Sequence, residues 1–400
     1  MSLNTVVSAE RVHIGFFGMR NAGKSSLVNA VTGQSLSLVS DVKGTTTDPV
    51  KKAMELLPLG PVVIIDTPGI DDEGELGEMR VKRAKEVLSS TNIAVLVVDS
   101  QKGMSHQDEE LKTLFESRKL PYIIAFNKSD LLDEIPYEEK NSIYVSSKTG
   151  ANIKELKEKI ANILREKRSN KKILSDLVEK GDTVILVMPI DESAPKGRLI
   201  LPQQQTIREL LEIGAITVSV QVSSLQNALD KLKVTPKLVI TDSQVFGEVA
   251  KIVPKDIALT SFSILFARYK GNLTSALYGA AKLKKLKRGD KVLISEGCTH
   301  HRQCKDIGSV KIPQWIESYS GQKLQFDFTS GGDFPENTKD YALVVHCGGC
   351  MLTENEMKNR ISICRENGTP ITNYGIGIAQ IHGILGRSVE CFKEAKEILE

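Results

Sequence analysis

The chain has 400 residues, of which 40% are hydrophobic and 26% are charged, a composition typical of a globular protein. At about 150 residues per domain, this length predicts two or three domains. Because 53 lysines and arginines nearly balance 50 aspartates and glutamates, the net charge of +3 indicates neither nucleic acid nor a membrane as partner. We expect a cytoplasmic protein, since the sequence shows no secretory signal pattern and no apolar run approaching the roughly 18 residues of a membrane span.

Residues 12–165 alternate short apolar runs with amphipathic segments. The runs that predict strands are VHIGFFG, VVIIDT, NIAVLVVD, YIIAFNK and SIYVSS. Because continuous Val/Ile runs between helices are typical of parallel sheets covered on both faces, we predict an α/β domain with a mostly parallel sheet. A highly charged stretch near 168–180 marks a boundary, which gives a first domain at 1–170.

Two smaller α/β domains are predicted to follow, at 181–270 and 271–400. The first of them repeats the alternation of apolar runs and amphipathic segments and contains no catalytic motif. The second opens with a helix that ends in the basic run KLKKLKRGD, and its three strand candidates are KVLISEG, YALVVHCG and PITNYG. The fold class is therefore α/β throughout.

Residues 18–25 match the phosphate-loop pattern G-x-x-x-x-G-K-[ST] between a predicted strand and a predicted helix. Glycines let the backbone approach phosphate, and the N–H groups at a helix start attract negative charge. In this pattern Lys24 reaches the β- and γ-phosphates, and the Ser25 hydroxyl holds Mg²⁺. The strand–loop–helix context makes a nucleotide site the favoured interpretation.

Three later motifs, each directly after a predicted strand, indicate which nucleotide binds. Asp66 can meet Mg²⁺ through water, and the Gly69 N–H can sense the γ-phosphate. The Asp130 carboxylate can accept from N1–H and the exocyclic amine of guanine, which adenine cannot match. Four motifs in this order at the carboxyl ends of strands predict a GTP site. The nucleotide-binding candidates are Gly18, Asn21, Ala22, Gly23, Lys24, Ser25, Ser26, Thr46, Asp66, Gly69, Asn127, Lys128, Asp130, Ser146, Ser147 and Lys148.

With these motifs, the first 165 residues resemble the translation-factor-related GTPases of the branch that contains Era and the tRNA-modification GTPase. The resemblance nominates Thr46, within Gly-Thr-Thr-Thr-Asp at 44–48, as the Mg²⁺-closing threonine. It also implies that Asn21 binds K⁺ beside the phosphates, and Ile70 stands where Ras-like enzymes carry a glutamine. We therefore expect slow, potassium-stimulated GTP hydrolysis with Lys24, Thr46 and Asn21 as the catalytic residues.

All six cysteines lie after residue 297, and two cysteine–histidine motifs, at 298–300 and 346–350, follow strand candidates. Three interpretations compete at this point. Zinc would take Cys298, His300 or His346, Cys347 and Cys350. A dithiol would use only the two cysteines at 347 and 350, and a [4Fe–4S] cluster would use all three motif cysteines. Cys364 and Cys391 are predicted to be buried hydrophobes in helices.

The combination of this GTPase, a middle α/β domain and Cys-x-His…His-Cys-x-x-Cys resembles the HydF family of [FeFe]-hydrogenase maturation GTPases. The resemblance implies that Cys298, Cys347 and Cys350 bind a [4Fe–4S] cluster. His300 and His346 become candidate fourth ligands or hydrogen-bonding neighbours. Other candidates for the fourth position are Glu296, Asp306, Cys304 and water.

The same resemblance implies a homodimer formed through the middle domain and a role as scaffold or carrier for a transient two-iron precursor. Its implied partners are the [FeFe]-hydrogenase apoprotein and two radical-SAM maturases. The alternative is a GTP-dependent RNA or ribosome assembly factor with a structural zinc site. The basic run at 282–288 does not favour that alternative, because neither a Gly-x-x-Gly loop nor interleaved aromatics accompany it.

Overall fold

The computed structural model describes residues 11–34, 50–67, 87–137, 139–168, 172–190, 199–297, 307–349, 352–393 and 395. The chain divides into two compact units. The first contains Met1–Asn170 with Thr353–Glu356, and the second contains Lys171–Leu352 with Met357–Glu400. Among the described helices, none is long and apolar enough to cross a lipid bilayer.

The first unit contains a six-stranded sheet in the order β2-β3-β1-β4-β5-β6. Its strands are β1 (Val12–Phe17), β2 (Val50–Leu56), β3 (Gly60–Asp66), β4 (Ile93–Asp99), β5 (Tyr122–Asn127) and β6 (Ser142–Tyr144). β2 runs antiparallel to β3, and all other neighbouring strands are parallel. The mostly parallel sheet predicted from the Val/Ile runs is confirmed.

Helices cover both faces of this sheet, which is why its central strands are apolar throughout. They are α1 (Lys24–Thr32), α2 (His106–Ser117) and α3 (Ile153–Arg168). Val95 and Val97 of β4 lie in one core cluster, to which α1 and α3 contribute. Leu96 and Val98 lie in the other, with residues of α2. Alternate residues of one strand thus anchor helices on opposite faces.

The second unit contains two four-stranded, fully parallel sheets, in the orders β10-β9-β7-β8 and β12-β11-β13-β14. The strands are β7 (Thr183–Val187), β8 (Ile216–Val220), β9 (Leu238–Thr241), β10 (Ala258–Ser261), β11 (Lys291–Glu296), β12 (Gln325–Ser330), β13 (Leu343–His346) and β14 (Ile371–Asn373). The expectation of three strands after residue 271 is wrong by one, since β12 adds a fourth.

The helices of this part of the chain contribute to a core cluster that contains β7, β9 and β10, and to two further clusters that contain the strands of the second sheet. They are α4 (Leu201–Ile213), α5 (Val222–Lys231), α6 (Phe246–Ile252), α7 (Phe262–Tyr269), α8 (Leu273–Lys282), α9 (Ile312–Ser320), α10 (Glu354–Glu366), α11 (Tyr374–Ile381) and α12 (Leu385–Val389). Ile376 of α11 and Leu385 of α12 lie in the same hydrophobic cluster as Ile185 of β7. The division of this region into domains at 181–270 and 271–400 stays a prediction.

Candidate functional site

The nucleotide motifs of the first unit follow strands that end at one edge of its sheet. β1, β3 and β5 end at Phe17, Asp66 and Asn127, and their parallel pairing aligns these ends with that of β4. Ligands of open α/β sheets bind at the carboxyl edge, in the crevice where the strand order reverses. Here β1 lies between β3 and β4, so the loop after β1 occupies that crevice.

The loop after β1 has the backbone that close approach to a phosphate requires. Gly18 and Gly23 have positive φ angles, and a Cβ on Gly18 would meet the Val97 carbonyl oxygen. A Cβ on Gly23 would meet the Asn127 amide nitrogen. α1 begins directly after Gly23, and the first N–H groups of a helix lack partners within it. The loop therefore offers an anion site at a helix start.

Two predicted Mg²⁺-binding side chains of the first unit are in direct contact. The Ser25 hydroxyl donates to Asp66 Oδ2 over 2.9 Å. Asp66 is 8% exposed, and its other oxygen, Oδ1, is buried without a hydrogen-bond partner among the described residues. A hydroxyl beside a buried carboxylate oxygen is a hard-oxygen donor set, which suits Mg²⁺. Lys24, the phosphate-binding candidate, is also buried in this region.

Asn127 connects the phosphate loop with the loop that follows β6. Its Nδ2 donates to the Ala22 carbonyl over 3.1 Å, and its Oδ1 accepts from the Ser147 N–H over 3.0 Å. The side chain is fully buried. An amide suits this position because its nitrogen donates to one loop while its oxygen accepts from the other. The two loops are therefore held in one arrangement.

The predicted guanine contact, Asp130, is oriented by a neighbouring hydroxyl. Ser146 Oγ donates to Asp130 Oδ1 over 2.6 Å, and it accepts from the Thr149 N–H over 3.1 Å. Asp130 and Lys148 are exposed. A carboxylate fixed at the surface, in the 3-10 helix Ser129–Leu131 that follows β5, is placed to accept from a ligand. The contact itself stays a prediction.

Asp99 is a residue of this edge that the motifs did not nominate. It ends β4, and its Oδ2 accepts from Lys128 Nζ over 2.7 Å, while the same ammonium donates to the Asn21 carbonyl over 2.9 Å. Burial would raise the pKa of Asp99, but the Lys128 ammonium and the Gln101 N–H outweigh it and hold the pKa below its ordinary value. The sequence feature that could have indicated Asp99 is an aspartate at the end of an otherwise fully apolar strand.

We expect Asp99→Asn to lower the free energy of unfolding of the first unit by about 1 kcal/mol at pH 7. A lowered carboxylate pKa stabilises the fold above the unfolded value of 3.8, and this contribution is lost as the pH falls through the lower folded value. Urea denaturation at pH 7 and well below pH 3.8 measures the difference. The exposed Asp133→Asn is the control, and an Asp99→Asn deficit that persists in acid would contradict the assigned ion pair.

Two other nucleotide candidates, Thr46 and Gly69, lie outside the described residues. The remaining candidates lie in the loop after β1, at the start of α1, at the ends of β3 and β5, and in the loops that follow β5 and β6. Their assignment to GTP therefore stays a prediction that the geometry of the described side chains supports.

The second candidate site lies at the carboxyl edge of the sheet that contains β11 and β13. These strands are parallel neighbours, with Ser295 paired to His346. The motif cysteine that the structure describes, Cys347, directly follows β13, and its N–H donates to the Ser295 carbonyl over 2.8 Å. Its Sγ accepts from the Gly297 N–H over 3.0 Å and from the Gly349 N–H over 3.3 Å. Two amide donors stabilise a thiolate, the form that binds metal.

His346 is buried, and both of its ring nitrogens are engaged. Nδ1 lies 2.7 Å from the Cys347 carbonyl, and Nε2 lies 2.9 Å from Arg360 Nη1. Because a carbonyl only accepts and a guanidinium only donates, the ring is neutral with its proton on Nδ1. Burial and the nearby guanidinium lower the pKa of His346 to about 3. With both nitrogens engaged, the His346 ring is better placed as a hydrogen-bonding neighbour of the loop that follows β13, here called the cysteine loop (Cys347 to Gly349), than as a metal ligand.

The other members of the predicted metal site are Cys298, His300, Cys304, Asp306 and Cys350, which lie outside the described residues. Over the part of the chain that is described, no group of three His, Cys, Asp or Glu side chains is placed to hold a metal ion. Glu296, another candidate, accepts from the Tyr374 hydroxyl over 3.1 Å. The metal-ligand set thus stays a prediction.

The loop, helix start and strand ends of the first unit define a P-loop GTPase domain, and residues 13–128 match the family described as 50S ribosome-binding GTPase. Residues 173–271 match the Hydrogen maturase F dimerization domain, and residues 274–391 match the Hydrogen maturase F tetramerization domain. Together these two matches span more than half of the chain. The chain belongs to the Hydrogen maturase F (HydF) family, which confirms the resemblance stated from its motifs.

Curated relatives match the GTPase part. The chain is 38% identical over 130 residues to the GTPase Der of Kosmotoga olearia, which covers 31% of this chain and 29% of that protein. It is 33% identical over 155 residues to the tRNA modification GTPase MnmE of Clostridioides difficile, covering 37% and 33%. The chain thus spans about a third of the length of these relatives. A crystal structure of Aquifex aeolicus Era is 20% identical, with a TM-score of 0.33 over 52% of this chain and 92% of that one.

Proposed function

We propose that the first unit binds GTP with Mg²⁺ and hydrolyses GTP to GDP and phosphate. The contact between Ser25 and the buried carboxylate of Asp66 supports this proposal most directly. Ser25 and Asp66 would hold Mg²⁺, which neutralises phosphate charge when it is bound. Lys24 adds a second positive charge toward the β- and γ-phosphates, and Thr46 completes the closed loop. Asp130 selects guanine.

We propose that Asn21 makes hydrolysis depend on K⁺. Asn21 has a φ of 64° and an exposed side chain, and its carbonyl is fixed by the Lys128 ammonium. A monovalent cation held beside the phosphates would stabilise the negative charge that develops there. Asn21→Ala should reduce the rate in KCl by at least about tenfold while the rate in NaCl stays unchanged. Phosphate release in the two salts measures this, and an undiminished KCl:NaCl ratio would contradict the role.

We propose that the second unit binds a [4Fe–4S] cluster through Cys298, Cys347 and Cys350. The observation that carries this proposal is the Cys347 sulfur at the end of β13, accepting two backbone amides beside the strand that leads to Cys298. Amides directed at sulfur are the usual environment of iron–sulfur thiolates. The fourth iron position is left for a weaker ligand, His300 or a carboxylate or water, since such a ligand exchanges readily.

The chain would then act as a carrier of a two-iron precursor in hydrogenase maturation. The two Hydrogen maturase F matches support this role, and they favour it over a ribosome assembly factor with a zinc site. Two radical-SAM maturases would build the precursor, and the [FeFe]-hydrogenase apoprotein would receive it. The nucleotide would order the segments around Thr46 and after Asp66, and thereby change the affinity for a partner.

The carrier role is tested by transfer of the cargo. The chain, loaded by the two maturases and then repurified, should activate hydrogenase apoprotein, whereas the unloaded chain should not. Dissociation of the chain from hydrogenase should differ between GTP and GDP. Equal dissociation rates would contradict the proposed control of partner affinity by the nucleotide. Activation without the loaded chain would contradict the carrier role.

We further propose a homodimer formed through the middle segment. β8 ends its sheet in the described strand order, and Ile216 at its start is 56% exposed. An open strand edge with exposed apolar residues pairs readily with another chain. The match of residues 173–271 to a dimerization domain supports a second copy as that partner.

A further inference from the structure

A buried arginine of the second unit contacts His346, the residue that precedes the cysteine loop. Arg360, on α10, is 2% exposed and is among the largest fully enclosed side chains of the described chain. Its guanidinium lies 5.1 Å from the centre of the Phe334 ring. Because arginine keeps its charge in proteins, a full positive charge is enclosed here, and enclosing it carries a considerable desolvation cost.

The Arg360 guanidinium joins the carboxyl ends of three neighbouring strands. Nη1 donates to His346 Nε2 over 2.9 Å, at the end of β13, and to Ser295 Oγ over 3.3 Å, near the end of β11. Nη2 donates to the carbonyl of Gly331, the residue after β12, over 2.6 Å. Lysine could not reproduce these contacts, because its single ammonium lacks the planar fork of donors.

Two residues that Arg360 contacts hold the backbone of Cys347 from both sides. The Ser295 carbonyl accepts from the Cys347 N–H over 2.8 Å. The His346 ring lies 2.7 Å from the Cys347 carbonyl, to which its Nδ1 donates. The arginine thus acts on the cysteine through the His346 ring, whose orientation it fixes, whereas its contact with Ser295 is to the hydroxyl and not to the carbonyl that holds Cys347. A second cation, Lys270, donates to the Gly349 carbonyl within the same loop.

We infer that Arg360 is a positioning residue for the iron–sulfur cluster. It fixes the Cys347 loop through the His346 ring and supplies an enclosed positive charge. This inference rests on the proposed [4Fe–4S] site. A cluster held by thiolates becomes more negative when it accepts an electron, and a nearby cation stabilises that reduced form. Net charge and hydrogen bonding around the sulfurs are the main determinants of cluster potential. Arg360 therefore raises the reduction potential of the cluster.

The test compares native chain, Arg360→Gln, Arg360→Lys and Arg365→Gln after anaerobic reconstitution with iron and sulfide. Arg365 lies on the same helix and is exposed, so it controls for loss of an arginine from α10. Mediated redox titration followed by electron paramagnetic resonance measures the potential and the spectrum. Arg360→Gln should shift the potential to more negative values and broaden the signal. Arg365→Gln should leave both at the native values.

Arg360→Lys separates charge from positioning. It keeps the cation but loses the fork, so its potential should lie closer to the native value while its signal is broadened. If Arg360→Gln fails to fold, Arg360→Lys tests the inference instead. A native spectrum from Arg360→Lys would then overturn the inference. A native potential in folded Arg360→Gln overturns the inference alone. A native chain that binds no cubane overturns the proposed function and this inference with it.

Discussion

Asp130→Asn should change the nucleotide preference of the chain from GTP to xanthosine triphosphate. In the proposed contact the native carboxylate accepts two hydrogen bonds from guanine, and an asparagine amide presents a donor in place of one acceptor. Losing two charge-assisted bonds of about 1.5 kcal/mol each reduces GTP affinity by at least about a hundredfold. Xanthine carries an oxygen where guanine carries its amine, so it accepts from the new amide. Competition binding with the two nucleotides measures the change.

Asp133→Asn is the matched control, because Asp133 is exposed in the same loop and belongs to none of the motifs. It should leave GTP affinity at the native value. Ser146→Ala should produce a smaller loss than Asp130→Asn, since it removes the hydroxyl that orients the carboxylate but keeps the charge. Unchanged guanine selectivity in Asp130→Asn would contradict the assigned base contact.

Cys347→Ser should abolish the visible iron–sulfur absorbance and leave GTP hydrolysis nearly intact. The Cys347 sulfur accepts the Gly297 and Gly349 amides, and a serine hydroxyl, shorter and harder, is a poor ligand for the cluster. The residues proposed for hydrolysis all lie in the first unit. Absorbance after anaerobic reconstitution and phosphate release, measured on the same preparation, separate the two effects.

Cys364→Ala is the control for loss of a cysteine from the same unit. Cys364 is fully buried in the core, and burial raises the pKa of its thiol to about 12, which disfavours the thiolate form that binds metal. This variant should keep the native iron content. If Cys347→Ser lost hydrolysis together with the cluster, the two sites would not be independent.

The sequence predicted the elements that are locally encoded. The phosphate loop, with Gly18 and Gly23, and the Val/Ile strands follow from residue type and spacing, so the α/β class and the edge of the first site were predictable. β2 and β12 were not, because both are edge strands with mixed composition. β2 buries only Leu56, and β12 is mostly exposed or half-buried, so neither produces a continuous apolar run.

Arg360 and Asp99 were not predicted from the sequence, for a different reason. Arg360 lies on an amphipathic helix among other charged residues, and its burial depends on the Gly331 and His346 contacts across three strands. Asp99 is paired with Lys128, 29 residues later in the sequence. Spacing along the chain encodes neither contact, because each arises only when the sheet is assembled. His346 was named as a candidate ligand from its place in the motif, and motif spacing does not show that Arg360 contacts its Nε2.

The central claim is that the second unit holds an iron–sulfur cubane with one exchangeable corner. Metal and sulfide analysis with electron paramagnetic resonance, on the native chain purified and reconstituted without air, tests it most directly. We expect about four iron and four sulfide atoms per chain, and a reduced-cubane signal that changes when imidazole or cyanide is added. One zinc ion per chain, with iron and sulfide absent, would contradict the account.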